Sequence, residues 1–98
     1  MKRDRTTAAE TRLRESLRKR REELGWSQLR LSLLLDGTRT FVSKYESGER
    51  YLTFTEVIKL CGILELDAAA LAAEIAALTP KATRGVSKDS SVGVPRYL

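Results

Sequence analysis

Apolar residues recur along this chain at helical spacings, and nowhere do they alternate as a half-buried strand requires. Leu13, Leu17 and Leu24 fall four and seven apart on one stripe. Thr7-Ala8-Ala9-Glu10 ahead of them fits a capping box, so a first helix is predicted over 8–24, with Gly25 as its stop. Ser27 can cap a short second helix from Gln28 to about Leu35, closed by Asp36-Gly37. Thr38 can cap a third over 39–47, stopped by Gly48. Thr53-Phe54-Thr55-Glu56 is another capping box and opens a fourth helix, with Val57, Ile58, Cys61 and Leu64 along one face. Asp67 caps an alanine-rich fifth helix to about Leu78, striped by Leu71, Ile75 and Leu78 and ended by Pro80. From Thr79 onward Gly, Pro, Ser and scattered charges dominate, and that tail is predicted to be disordered. The expected organisation is a basic arm over 1–7, an all-α five-helix bundle over 8–78 and a flexible tail over 79–98. An ordered part of roughly 65–70 residues is marginal for one core, and oligomerisation often supports a domain of that size.

Composition then narrows the chemistry. One cysteine among 98 residues cannot form an internal disulfide, and no histidine is present. The usual zinc ligand sets and the Ser-His-Asp and Cys-His nucleophiles are therefore excluded. No enzyme activity, metal, cofactor or small-molecule ligand is expected. The start of the chain is polar and charged, and the apolar runs are a few residues long, so neither a secretory signal nor a membrane span is predicted and a cytoplasmic protein is expected. The net charge of +5 is uneven: residues 1–50 carry 13 basic and 8 acidic side chains, residues 51–98 five of each. A basic front and a pI of about 9.7 fit a protein that meets a polyanion with one side.

The third predicted helix turns Val42 and Tyr45 inward, while Ser32 is the small residue where the second and third helices cross. That leaves Thr38, Arg39, Thr40, Ser43, Lys44 and Ser47 outward, a set suited to the acceptors and thymine methyls of a major groove. Over Leu17–Asp67, about half the chain, the sequence resembles the Xre family of helix-turn-helix regulators, which includes lambdoid phage repressors and Cro proteins. The matching residues are Arg21 ahead of Gly25, Ser27-Gln28, Leu31, Leu35, Val42, Ser43-Lys44-Tyr45-Glu46, Gly48, Leu64 and Asp67.

The resemblance implies a lambda-repressor-like bundle and a transcriptional regulator that binds double-stranded DNA as a homodimer on an inverted repeat. It implies that Gln28 is a positioning contact, that Thr38, Arg39, Thr40, Lys44 and Ser43 read bases, and that Arg21 and Glu46 form a partly buried ion pair. Arg39-Thr40-Phe41 is also similar to the Arg-Thr-aromatic run of restriction–modification controller proteins. Arg18 and Lys19 would reach phosphates if the first helix flanks the duplex.

Several residues keep two readings. Lys2, Arg3 and Arg5 form either an arm along DNA or an incidentally charged terminus. Phe41 packs inward or touches a thymine methyl or sugar. Leu29 and Leu33 pack under the first helix or the tail, or form with Leu34 an exposed patch for a partner. The Leu71, Ile75, Leu78 stripe closes the core or makes a two-fold interface. Trp26 and Cys61 read as core residues. Glu65 stands where the family usually carries glycine, which argues against a left-handed cap. Asp36-Gly37 in place of a glycine–apolar pair implies a shifted turn or a missing anchor. The alternative function is an antitoxin-type or adaptor module that binds a protein partner through the second-helix leucines and the tail.

Overall fold

A computed structural model describes residues 7–79, and within them the chain forms five helices and no strand. They are α1 (Ala8–Glu23), α2 (Gln28–Leu34), α3 (Phe41–Glu46), α4 (Phe54–Leu64) and α5 (Ala68–Leu78). Most of the basic arm and nearly all of the tail lie outside the described residues. None of the described helices is long and apolar enough to cross a membrane.

The starts follow the predicted caps. Thr7 accepts from the Glu10 N–H, Ser27 from that of Arg30, and Asp67 from those of Ala69 and Ala70. Thr53 and Glu56 complete a reciprocal capping box. Only α3 departs from its predicted start. Thr38 does not cap it: the Thr38 carbonyl accepts the Phe41 N–H at 3.0 Å, so 38–40 form a turn and the helix begins two residues late, at Phe41. Thr40 stands at its N-cap and makes no side-chain cap bond.

Helices α1 to α4 end alike. Each is followed by a residue in the left-handed region, Gly25, Asp36, Gly48 or Glu65. The next N–H then returns to a carbonyl five residues back, at 3.1 Å from Trp26 to Arg21, 2.9 Å from Gly37 to Ser32, 2.9 Å from Glu49 to Lys44 and 2.8 Å from Leu66 to Cys61. This closure favours glycine because a Cβ crowds the left-handed conformation. Glu65 adopts it nonetheless, which corrects the expectation that argued against such a cap there. The cost of about 1–2 kcal/mol is offset by the returning bond and by the Arg20 Nε–H, which donates to the Leu64 carbonyl at 2.8 Å. At the other non-glycine site Asp36 itself takes the left-handed position, so the first residue of the Asp36-Gly37 pair carries the turn and the second supplies no apolar anchor. Gly37 supplies space instead, since a Cβ there would meet Phe41 Cβ at 3.3 Å.

Helix α1 is the hub, packing on α3, α4 and α5, while α2 packs on α3. The core comprises Leu17, Leu31, Leu35, Val42, Tyr45, Leu52, Leu60, Cys61, Leu64 and Leu71, each large apolar side chain contributing roughly 1.5–3 kcal/mol on burial. Leu13, Leu24 and Trp26 pack on its rim, as their stripe and corner positions predict. Cys61 is a core residue, and burial, with the Asp67 charge, pushes its thiol pKa up.

Candidate nucleic-acid interface

The crossing of α2 and α3 is tight because Ser32 sits in it, fully buried, its Oγ accepting the Val42 N–H at 3.1 Å. One residue thus supplies both the small volume and a partner for an N–H at the open end of a helix. With Val42 and Tyr45 turned into the core, Thr38, Arg39, Thr40 and Lys44 stand exposed on the opposite side. Ser43 is half-buried, and its Oγ donates to the Thr40 carbonyl at 3.0 Å. Four of the five residues expected to read bases therefore form an exposed ridge, and the fifth braces the turn that carries them.

Arg21 and Glu46 meet as expected. Arg21 Nε donates to Glu46 Oε2 at 2.8 Å, Nη2 to Oε1 at 3.0 Å, and Nη1 to the Trp26 carbonyl at 2.7 Å. The hydrogen bond to Glu46 raises the guanidinium pKa against the opposing effect of burial. Gln28 joins the pair, its Nε2 donating to Glu46 Oε1 at 2.8 Å while the residue stays exposed. A carboxylate can only accept, so Glu46 fixes which end of the Gln28 amide faces it. Tyr45 Oη, beside this network, is buried and has no hydrogen-bond partner among the described residues. Burial foremost, then the Glu46 charge, pushes its pKa up despite nearby Arg21.

A second pair lies toward the other end of α3. Arg50 Nη1 donates to Glu56 Oε1 at 2.9 Å and Nη2 to Oε2 at 2.8 Å, a two-pronged fork. Nη1 also donates to the Tyr51 carbonyl at 2.8 Å. Arg50 above all holds the Glu56 carboxyl down at about 2, with the Thr53 N–H helping against burial, and Glu56 in turn raises the Arg50 pKa. The guanidinium also covers the Phe41 ring, 4.7 Å from its centroid. Phe41 itself packs partly buried against the core, edge-on to Tyr45 with centroids 5.5 Å apart. The inward reading of Phe41 is the one the contacts favour.

The cations of α1 divide. Arg14 lies against the end of α3, its Cζ 3.3 Å from where a Cβ on Gly48 would stand. At about 100° per residue Arg18 lies about 40° around the helix from Arg14, and Lys19 about 140°. Arg18 pairs with Glu22 at 3.1 Å on the surface. Lys19 lines a cleft against α5 with Ser16, Glu23 and Glu74. Gln28 is thus joined to α3 through Glu46, Arg18 lies on the side of α1 near Arg14, and Lys19 lies in the cleft against α5.

Leu29, Leu33 and Leu34 are 38%, 55% and 46% exposed, so they do not pack under α1. In α5, Leu71 is buried and Ile75 and Leu78 are half-buried, with Leu71 and Ile75 packing on this domain's core. Leu71 and Ile75 also line an open apolar groove of about 630 Å³ that runs between Phe54 and Ile58 of α4 and Ala69, Ala72 and Ala76 of α5. No group of three His, Cys, Asp or Glu side chains able to hold a metal occurs among the described residues.

Sequence reasoning missed the Arg50–Glu56 fork, the Gln28–Glu46 bond and the Arg20 contact with the end of α4. Compared with known families, the chain matches the profile described as "Helix-turn-helix" over residues 17–71, more than half its length. No curated protein and no solved structure matches it.

Proposed function

The chain belongs to the Xre/Cro-like helix-turn-helix family of DNA-binding transcriptional regulators, a regulatory rather than an enzymatic family, and from that premise we propose a repressor acting as a homodimer on an inverted-repeat operator. The observation that carries this reading is the exposed ridge of Thr38, Arg39 and Thr40, on the turn that leads into α3, and Lys44, on α3 itself, whose Val42 and Tyr45 are locked into the core. Such a ridge presents donors and methyls at fixed positions, as direct readout of base edges requires. Gln28 at the start of α2 would seat on the backbone and fix register rather than sequence. Arg18 is the α1 cation suited to a phosphate contact.

Arg39 is the residue to test. Its planar fork can donate two hydrogen bonds to guanine O6 and N7, so Arg39→Ala should lose about 1–3 kcal/mol on the operator and relax preference at one base pair. In-vitro selection on both proteins reads this directly. An unchanged consensus with uniformly weaker binding would overturn base reading through Arg39.

The homodimer rests on the groove between α4 and α5, where Phe54 is 74% exposed beside small alanines. A second copy could bury both, with half-sites about 34 Å apart. Sedimentation equilibrium giving a monomer both free and on DNA would sink it. The three exposed leucines of α2 favour a second, compatible role as a contact for a protein partner. Replacing Leu29 and Leu33 with serine should then abolish co-elution with that partner and leave operator binding intact.

A further inference from the structure

Helix α3 has six residues, fewer than two turns, and cannot hold its own geometry. Its C-terminal end is fixed by the Arg21–Glu46 pair. Its N-terminal end carries Thr38, Arg39 and Thr40 on a turn with no side-chain cap, although that turn is where bases would be read. What anchors the turn is Phe41. Its N–H donates to the Thr38 carbonyl at 3.0 Å, and its ring lies between Tyr45, the Gly37 backbone and the Arg50 guanidinium.

Arg50 cannot swing away from that ring without losing three hydrogen bonds, two to Glu56 and one to the Tyr51 carbonyl. Glu56 is immobilised in turn, because its Oε1 also accepts the Thr53 N–H at 2.9 Å within the capping box of α4. An unbroken set of contacts therefore runs from the first turn of α4 through Glu56 and Arg50 to Phe41 and the 38–40 turn.

We infer that Arg50 and Glu56 are positioning residues for sequence readout, setting the orientation of the Thr38–Thr40 turn through Phe41. The inference rests on the reading that this turn contacts bases. It assigns Arg50 a role that its charge alone conceals: both of its terminal nitrogens are engaged within the protein, so it is a brace rather than a phosphate cation.

The test uses the full chain with Arg50→Gln, Glu56→Gln, the double variant and Phe41→Leu. Each is measured on operator and random DNA across a salt series, with Arg39→Ala alongside. The ratio of operator to random affinity should fall about tenfold in each single variant, and the double should be no worse than either single. Random-sequence affinity should stay within about twofold and the salt slope should not change, whereas a phosphate contact by Arg50 would lower the slope by about one. A ratio that holds in the brace variants while Arg39→Ala shifts the consensus overturns the inference and leaves base reading intact. A consensus unmoved by Arg39→Ala overturns base reading by that residue instead. Should Arg50→Gln fail to fold, Phe41→Leu decides alone, because it keeps apolar bulk and removes the ring that the guanidinium covers. An unchanged ratio in that variant overturns the inference.

Discussion

Each end of α3 is held by an arginine and a glutamate, but in different surroundings. At the C-terminal end the Arg21 and Glu46 side chains are 9% and 4% exposed; at the N-terminal end those of Arg50 and Glu56 are 39% and 30% exposed. Both pairs have the geometry of strong charge-assisted bonds. Burial separates them. A sealed pair is costly to break, since the survivor is left charged and poorly solvated, whereas a wet pair surrenders its partners to water at little cost. The same chemistry thus makes one end of the helix part of the fold, while at the other end it braces the turn of Thr38, Arg39 and Thr40 and adds little to stability.

The largest expected effect breaks the sealed end. Glu46→Ala should cost about 3–5 kcal/mol, because the buried Arg21 loses its carboxylate and Gln28 its anchor. Chemical denaturation measures this. A melting temperature unchanged within about a degree would show that the two ends do not differ in kind.

The exposed end should respond less and with a distinctive pH dependence. The Glu56 carboxyl is lowered from 4.5 to about 2 in the folded protein, mainly by Arg50. A depressed carboxyl contributes stability that is fully present above the unfolded value, near pH 4.5, and is lost as pH falls toward 2. With both side chains about one-third exposed, that contribution is screened to about 1 kcal/mol. Glu56→Gln should remove it at neutral pH and flatten the stability profile between pH 4.5 and 2. An acid limb of the same steepness in the variant would show that the pair adds nothing to the folded state.

The two ends also differ in how legible they were. Arg21 and Glu46 sit at positions that the resemblance to Xre regulators marks, and the 25-residue separation between them becomes contact only through that fold. Arg50–Glu56 escaped notice because Thr53-Phe54-Thr55-Glu56 already accounts for Glu56 as a capping residue, and a spacing of six across a loop belongs to no helical pattern. The helix stops divide in the same way. Gly25 and Gly48 announce a left-handed residue, but Asp36 and Glu65 do so only once the bonds from Gly37 to Ser32 and from Leu66 to Cys61 are seen. Exposure of Leu29, Leu33 and Leu34 was equally hidden, because periodicity shows that residues share a face without showing what covers it.

The smallest effect asks whether α1 does more than brace the sealed end. Arg21 is committed to Glu46, Arg14 lies over Gly48 and Arg20 donates to Leu64, so much of the positive charge of this helix is engaged by the fold. Arg18 and Lys19 are the two proposed for phosphate, and they are about 100° apart on the helix. Arg18 is on the α3 side, held by an exposed pair with Glu22 that DNA can displace at little cost. Lys19 faces the α5 cleft, where Glu23 and Glu74 are its neighbours. Each phosphate contact releases about one counterion, so Arg18→Ala should lower the slope of log affinity against log salt by about one on every sequence, operator or not. Lys19→Ala should leave the slope unaltered. If both variants lower it equally, α1 lies along the duplex rather than beside it, and the division of its cations between brace and contact is wrong.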